Sequence, residues 1–288
     1  LLHLNGFPLS MDEIKNFRQL HSKTAGHPEV DTSIGIDTTT GPLGQGFATG
    51  VGFAVAEKYL ASLLGEDIIN HYTFGIVSDG DLMEGVSFEA AELAAVWKLG
   101  KIIYFFDNNN ISIDGFVDKV SVTNQKEKFE SIGWHVLEID GHNEKEIIKS
   151  VEKAKKVNDK PTLIIAKSTI GKFAPNKENT SGVHGSPLGN DEMNKFLENL
   201  DWSGDPFLHS DDIYEYFSEK RDKDNIELKK WEDNFYKKYE KDEIFKDKWD
   251  LLISKDLGSL ERSNGEKDAS RILGSKILEQ FSASTNSI

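Results

Sequence analysis

This chain predicts a doubly wound α/β fold, a parallel sheet with helices on both faces, and three observations carry that prediction. Strand-length apolar runs at 71–78, 101–106, 134–139 and 162–167 alternate with helical patterns at 82–98 and 144–157. The run at 101–106 is apolar at Ile102, Ile103, Tyr104, Phe105 and Phe106 without alternation, as a strand covered on both faces requires. Polar residues gather where the first two strands end, at Asp79-Gly80 and at Asn108-Asn109-Asn110.

Each element has its own signal. Residues 11–20 read as a short helix with Ser10 as N-cap and Glu13 as its capping-box partner. A polar loop rich in Gly, Pro, Thr and His fills 21–40. A long helix spans 45–64, and Gly46, Gly50 and Ala54 leave one stripe of it almost without side chains. That stripe serves either close packing against another helix of the chain or a subunit interface. The helix at 82–98 stops at Gly100. From about residue 201 the composition changes, and 218–250 is mostly charged with an apolar stripe at Leu228, Trp231, Phe235 and Tyr239. The expected division is a main domain over 1–200, a charged helical linker over 201–265 and the start of another domain over 266–288, with a helix at 269–281. Leu1 lies inside an amphipathic pattern and the chain stops soon after that last helix. Both ends read as cut, so a piece of a longer protein is expected.

Composition narrows the class. The formal net charge is −15, which repels a polyanion, and no basic patch overrides it, so no nucleic-acid partner is expected. Cysteine is absent. That excludes disulfides, thiolate metal sites and a cysteine nucleophile, and it fits a reducing compartment. The most apolar stretch, 44–56, is broken by glycines and falls short of the roughly 18 residues a spanning helix needs, so no membrane role is expected.

The chemistry collects at one sheet edge. A right-handed crossover makes the strands at 71–78 and 101–106 parallel, so their carboxyl ends share an edge. Asp79 follows the first strand and Asn109 the second, thirty positions later. Neighbouring strands lie about 4.8 Å apart. A small hard cation with bonds of about 2.1 Å fits between the Asp79 carboxylate, the Asn109 amide oxygen and a nearby carbonyl such as that of Ile111. Three protein oxygens leave an octahedral ion half open for a diphosphate. Gly80 lets the backbone approach the phosphates, and the helix behind it offers N–H groups. Alone, Asp-Gly reads as a turn and Asn-Asn-Asn as a polar loop; the spacing on consecutive strands is what makes the pair specific.

These residues resemble the thiamine diphosphate motif, Gly-Asp-Gly followed by Asn. The surrounding text resembles transketolase: residues 17–24 (FRQLHSKT), 26–29 (GHPE), 39–46 (TTGPLGQG), 82–85 (LMEG), 111–115 (ISIDG) and 183–188 (VHGSPL). The likeness runs from residue 1 to about 200 and more thinly beyond. It implies a thiamine diphosphate-binding fold and a homodimeric, cytoplasmic transferase of the pentose phosphate pathway. That enzyme moves a two-carbon ketol unit between sugar phosphates with thiamine diphosphate and Mg2+, Ca2+ or another divalent cation. It further implies Asp79, Asn109 and the Ile111 carbonyl as metal ligands. Gly80 and Asn109 would touch the diphosphate. Gly41, Pro42 and Leu43 would lie near the pyrimidine ring, with Ile113 and Ile170 as apolar walls. His184 would contact diphosphate and substrate, His27 would enter the sugar channel, and Glu84 would join a carboxylate cluster at the subunit interface. Without the resemblance, His27 and His184 read as loop residues and Glu84 as an acid in a first helical turn. His21, His142 and His209 read as ordinary surface residues.

The sequence departs from the family at Ser78 for the first glycine, Ala25 for a proline, Asn108 for an aspartate, and 179–181 for a segment that often carries a histidine. The family also places two histidines before residue 1 and an activating glutamate after residue 288. The chain by itself is therefore expected to be inactive. A deoxyxylulose phosphate-type synthase and a non-catalytic, cofactor-anchoring and dimerising module are the alternative readings. The GHPE and VHG texts favour transketolase.

Overall fold

The structure, a computed structural model, describes residues 1–254 and 269–285. In chain order the elements are α1 (Met11–Lys15), α2 (Gln45–Leu64), β1 (Thr73–Val77), α3 (Asp79–Met83), α4 (Gly85–Val96), β2 (Ile102–Asn108), β3 (Ile111–Ser112), β4 (Gly115–Phe116), α5 (Gln125–Ser131), β5 (His135–Asp140), α6 (Glu144–Ala154), β6 (Thr162–Lys167), α7 (Asn190–Asn199), α8 (Asp211–Lys241), α9 (Glu243–Ser254) and α10 (Ser270–Thr285).

Four strands form the sheet in the order β1-β2-β6-β5, and every pairing is parallel. Alternation along the central strands divides the core in two. Ile102, Tyr104 and Phe106 of β2, with Leu163 and Ile165 of β6, face the layer of α2, α4 and α5. Ile103 and Phe105, with Ile164, face the other side, where Ala154 of α6 packs. This two-sided burial is the physical reason that 102–106 carries no polar alternation, and the doubly wound α/β fold is as expected.

The glycine stripe of α2 packs within the chain. Gly50 lies over Tyr104 of β2, whose hydroxyl donates to the Phe47 carbonyl at 2.8 Å. A side chain at position 50 would overlap that hydroxyl. At Gly50 the stripe admits a sheet tyrosine, and α2 also packs on α4 of the same chain. Phe47, Tyr104, Phe129 and Trp134 make one aromatic cluster, and Trp134 Nε1 donates to the Ala91 carbonyl at 2.9 Å. At the amino end of the sheet, Lys101 meets the buried Glu57 of α2 at 2.6 Å. By length and composition α2 is apolar enough to cross a membrane, contrary to expectation. Its Phe47, Val51 and Ala54 are nonetheless buried in the domain core.

Several expected bounds change. The helix expected over 11–20 ends at Lys15. The Ser10 side chain caps Glu13 N, but the Glu13 carboxylate turns away to accept from Lys23 N at 2.8 Å, so the reciprocal half of the capping box is absent. The helix expected over 82–98 is two, α3 and α4, because Glu84 between them is extended (φ −72°, ψ 134°). Glu84 is thus the residue before α4, not a member of a first turn.

The charged segment forms α8 and α9, which lie along the body. Trp231, Phe235, Tyr239, Phe245 and Trp249 cluster with Leu64 and Ile68. Lys238 donates to the Leu64 carbonyl at 3.0 Å and pairs with Asp67 at 2.8 Å, so a cation sits at the carboxyl end of α2, where the dipole favours it. Arg221 reaches the Leu4 carbonyl at 2.6 Å. Leu228, expected on the packed stripe, is exposed. Residues 255–268 of the expected linker and 286–288 of the expected next domain lie outside the described residues.

Candidate cation and diphosphate site

The carboxyl ends of all four sheet strands lie on one edge, and the residues that follow them form the site. After β1, Ser78 caps the single-turn helix α3, which begins at Asp79. Ser78 N and Oγ both donate to Asp81 Oδ2 at 2.8 Å, and Asp81 N donates back to Ser78 Oγ at 3.4 Å. The serine in the family's glycine position therefore makes a complete capping box. The same box uses one of the N–H groups that sequence reading had left free for phosphate.

Asp79 is buried, and its Oδ2 is without a hydrogen-bond partner. Burial first, and then the charge of Asp107, push its carboxyl up to about 6. A buried acceptor left unpaired is costly unless a proton or a cation satisfies it. Asp79 thus meets the requirement that the expected cation imposes.

Asn109 follows β2 directly. Its Nδ2 donates to Asp107 Oδ2 at 3.0 Å, and its Oδ1 accepts from Ile111 N at 2.9 Å. Ser168, just beyond β6, donates its hydroxyl to Asp107 Oδ1. Ile111 is buried in the short β3–β4 hairpin, and α3 packs beside both β2 and β3. Asp79 at the start of α3 and the Asp107, Asn109 and Ile111 group thus belong to adjoining elements at the same edge. No group of three or more His, Asp or Glu side chains among the described residues is arranged to hold a metal. A cation here would rest on one carboxylate, one amide oxygen and a main-chain carbonyl, a hard oxygen set suited to Mg2+ or Ca2+.

The turn at 41–44 adjoins α3. Asp81 Oδ1 accepts from Gly44 N at 3.2 Å. Gly44 has φ +78°, and a Cβ there would stand 2.7 Å from the Glu84 Cβ, so glycine is required on both counts. Leu43 lies against Gly80, where an added Cβ would be 3.3 Å from Leu43 Cδ1. The His27 ring lies beside Gly41. His27, Gly41, Pro42 and Leu43 line a cavity of about 510 Å³ that reaches Asp81 and Tyr104.

His184 is in another loop, and both histidines are exposed. Arg18 bridges the two loops: its side chain lies beside Gly26, next to His27, and donates to the Gly185 carbonyl at 3.3 Å, next to His184. Ile170 is half-buried, and its carbonyl accepts from Asn179 N at 2.9 Å. Ile113 at the hairpin tip is 69% exposed. Glu84 is exposed beside Gly44. The cavity takes in His27 and residues 41–43 but not Asp79, Asn109 or His184.

Sequence reasoning missed Asp81, Asp107, Ser168 and Arg18. His142, read as a surface residue, is exposed, and its Nε2 accepts from Thr169 N at 2.9 Å in the segment that follows β6 and leads to Ile170. Asp107 was within reach of sequence reading, because it lies only two positions before Asn109, at the end of the same strand.

A parallel sheet that brings a buried, unpaired carboxylate and an oriented amide oxygen to its carboxyl edge defines an α/β domain with a polar site at the ends of its strands. Comparison with known proteins narrows this: the chain belongs to the transketolase family, and the family described as "Transketolase, thiamine diphosphate binding domain" matches residues 1–254. It is 50% identical over 224 residues to transketolase 1 of Escherichia coli, covering 76% of this chain and 34% of that protein. It is 48% identical over 237 residues to transketolase 1 of Pasteurella multocida, covering 81% and 35%. Among solved structures, transketolase from Campylobacter jejuni superposes with a TM-score of 0.86 at 40% identity over 98% of this chain and 44% of that one. A Pichia stipitis transketolase in complex with sedoheptulose 7-phosphate superposes with a TM-score of 0.87 at 32% identity, over 98% and 43%. The chain spans about a third of the length of the curated relatives it matches.

Proposed function

We propose that this chain is the cation- and diphosphate-anchoring part of a transketolase, a homodimeric transferase that moves a two-carbon ketol unit from a ketose phosphate to an aldose phosphate. The observation that carries the reading is the buried Asp79 Oδ2, unpaired beside the Asp107–Asn109 pair. Asp79, the Asn109 amide oxygen and the Ile111 carbonyl would hold a divalent cation, Mg2+ first among them. The cation in turn would hold the diphosphate of thiamine diphosphate, which Gly80 admits closely. Bound there, thiamine diphosphate supplies the nucleophilic carbon and electron sink for ketol transfer.

The chain's own residues do the rest. Gly41, Pro42 and Leu43 support the pyrimidine end, and in the complete enzyme Ile113 and Ile170 would be apolar walls along the cofactor. His27 orients sugar hydroxyls from its cavity wall, and His184 contacts both diphosphate and sugar phosphate. Glu84 belongs to the dimer interface. The Pichia stipitis relatives solved with sedoheptulose 7-phosphate and fructose 6-phosphate support sugar phosphates as substrates. A body over 1–200, a helical connection over 201–265 and the start of a further domain over 266–288 remain our division of the chain. We assign the protein to the cytoplasm and to the pentose phosphate pathway on the family resemblance.

Calorimetric titration of thiamine diphosphate with Mg2+ tests the anchor. Binding that Asp79→Ala abolishes and Asn109→Ala weakens less is expected; unchanged affinity in Asp79→Ala refutes the site. In a coupled assay with xylulose 5-phosphate and ribose 5-phosphate, the 288-residue chain by itself is expected to give no turnover, since its exposed histidines and Ile113 leave the site open to water.

A further inference from the structure

We propose that Asp107, held by Ser168, is a positioning residue that locks the amide of Asn109 with its oxygen toward the cation and adds a second negative charge without ligating the metal. The inference rests on the cation site proposed above and assigns a task to two residues outside its ligand set.

The geometry supplies the lock. An asparagine amide has two ends of nearly equal size, and a half-turn about its last bond exchanges them. Only the oxygen end serves a cation. Two neighbours of Asn109 forbid the exchange. Asp107 Oδ2, a pure acceptor when ionised, stands 3.0 Å from Nδ2 and could not face an oxygen. The Ile111 N–H, a pure donor, stands 2.9 Å from Oδ1 and could not face an NH2. Oδ1 keeps a second lone pair for a metal. Asp107 is fixed in turn by the Ser168 hydroxyl and by strand pairing, which sets Asp107 opposite Ala166 and Asn108 opposite Lys167. Ser168 N also donates to the Asn108 carbonyl at 3.2 Å. A three-residue relay thus runs from the end of β6 to the oxygen after β2.

The charge has its own consequence. Val77 pairs with Phe106, so Asp107, next after Phe106, and Asp79, two residues after Val77, bring their carboxyl groups to the same stretch of the sheet edge. A dication held by Asp79 would also be drawn by the nearby charge of Asp107. Asp107 therefore favours the loaded state twice, once by orientation and once by field. Partners of this kind, one bond removed from a metal, typically govern 10–100-fold in affinity.

Mn2+ binding to the 288-residue chain with thiamine diphosphate present, read by electron paramagnetic resonance, tests this. A second reading is the side-chain amide signal of Asn109 in asparagine-labelled protein, assigned by its loss in Asn109→Asp. Asp107→Asn keeps the size and one acceptor but removes the charge and lets either end face Asn109. Its Mn2+ affinity should fall about 10-fold, while its metal-free melting temperature stays level or rises. Asp107→Ala should lose about 10–100-fold, with a doubled or broadened Asn109 signal, and Ser168→Ala should lose severalfold. If Asp107→Ala does not fold, the other two variants carry the test. Affinities within twofold of the parent in all folded variants overturn the proposal. So does an affinity loss accompanied by a lowered metal-free melting temperature and an unchanged Asn109 signal, which marks a scaffold residue. Absence of saturable Mn2+ binding in the unmodified chain overturns the cation site itself, and this role with it.

Discussion

Asp81 ties Gly44 to Ser78: one carboxylate oxygen accepts from Gly44 N at 3.2 Å, the other from Ser78 N at 2.8 Å. Two loops far apart in sequence, the 41–44 turn and the entry to α3, are joined through a single side chain. Asp81→Ala removes both bonds and the capping box, and should cost about 2 kcal/mol by urea denaturation. It should also weaken thiamine diphosphate binding, because Leu43 would lose its support against Gly80. Full stability in the variant would mean that the turn is held by other contacts. Gly44→Ala should be at least as damaging, since its φ and its Cβ contact with Glu84 both exclude a side chain.

Asp79 gives the metal-free chain an unusual pH response. Its carboxyl is raised from 3.8 to about 6, so the native state binds the proton more tightly than the unfolded chain does. The ionised form is therefore a penalty on folding. That penalty is absent below pH 3.8, grows between 3.8 and 6, and is complete above 6, where it is of order 3 kcal/mol. Relative to Asp79→Asn, the metal-free chain should lose stability as pH rises through that window. Mg2+ with thiamine diphosphate should restore it, with affinity falling below pH 6 as the proton competes. Parallel melting curves for the two proteins across pH 4–7 would contradict this.

The two histidines should separate in kinetics. In the complete enzyme, His27→Ala should raise KM for phosphorylated sugars severalfold, up to about 10-fold, with little change in cofactor affinity, since one hydrogen bond is worth about 0.5–1.5 kcal/mol. His184→Ala should affect both. Steady-state kinetics with calorimetry would decide, and equal cofactor losses in the two variants would sink the division of roles.

Gly50 and Tyr104 test the core. Gly50→Ala gains helix propensity worth about 1 kcal/mol, but its methyl would overlap the tyrosine hydroxyl, and overpacking of this kind costs about 1–3 kcal/mol. Net destabilisation is expected by thermal unfolding. Tyr104→Phe should cost about 1 kcal/mol by losing the bond to Phe47, and combining it with Gly50→Ala should recover part of the larger loss.

Local pattern alone determined the four strands of the main sheet, the long helix α2, the two-sided burial of β2 and the placing of Asp79 and Asn109 at strand ends; the β3–β4 hairpin it did not give. Strand period, run length and a thirty-residue crossover are properties of contiguous sequence, and they hold wherever the chain goes. Tertiary structure decided what depends on neighbours. The order β1-β2-β6-β5 brings Ser168 to Asp107, and no periodicity in residues 102–108 could name a partner beyond β6. Asp81 closed α3 on Ser78 and reached Gly44, splitting a helix that looks continuous in sequence at Glu84. The glycine stripe was visible, yet only the packing of α2 on the sheet set Gly50 over Tyr104. Hydrogen-bond satisfaction between distant segments made each of these choices, because a buried polar group is paired by whatever the fold brings within about 3 Å.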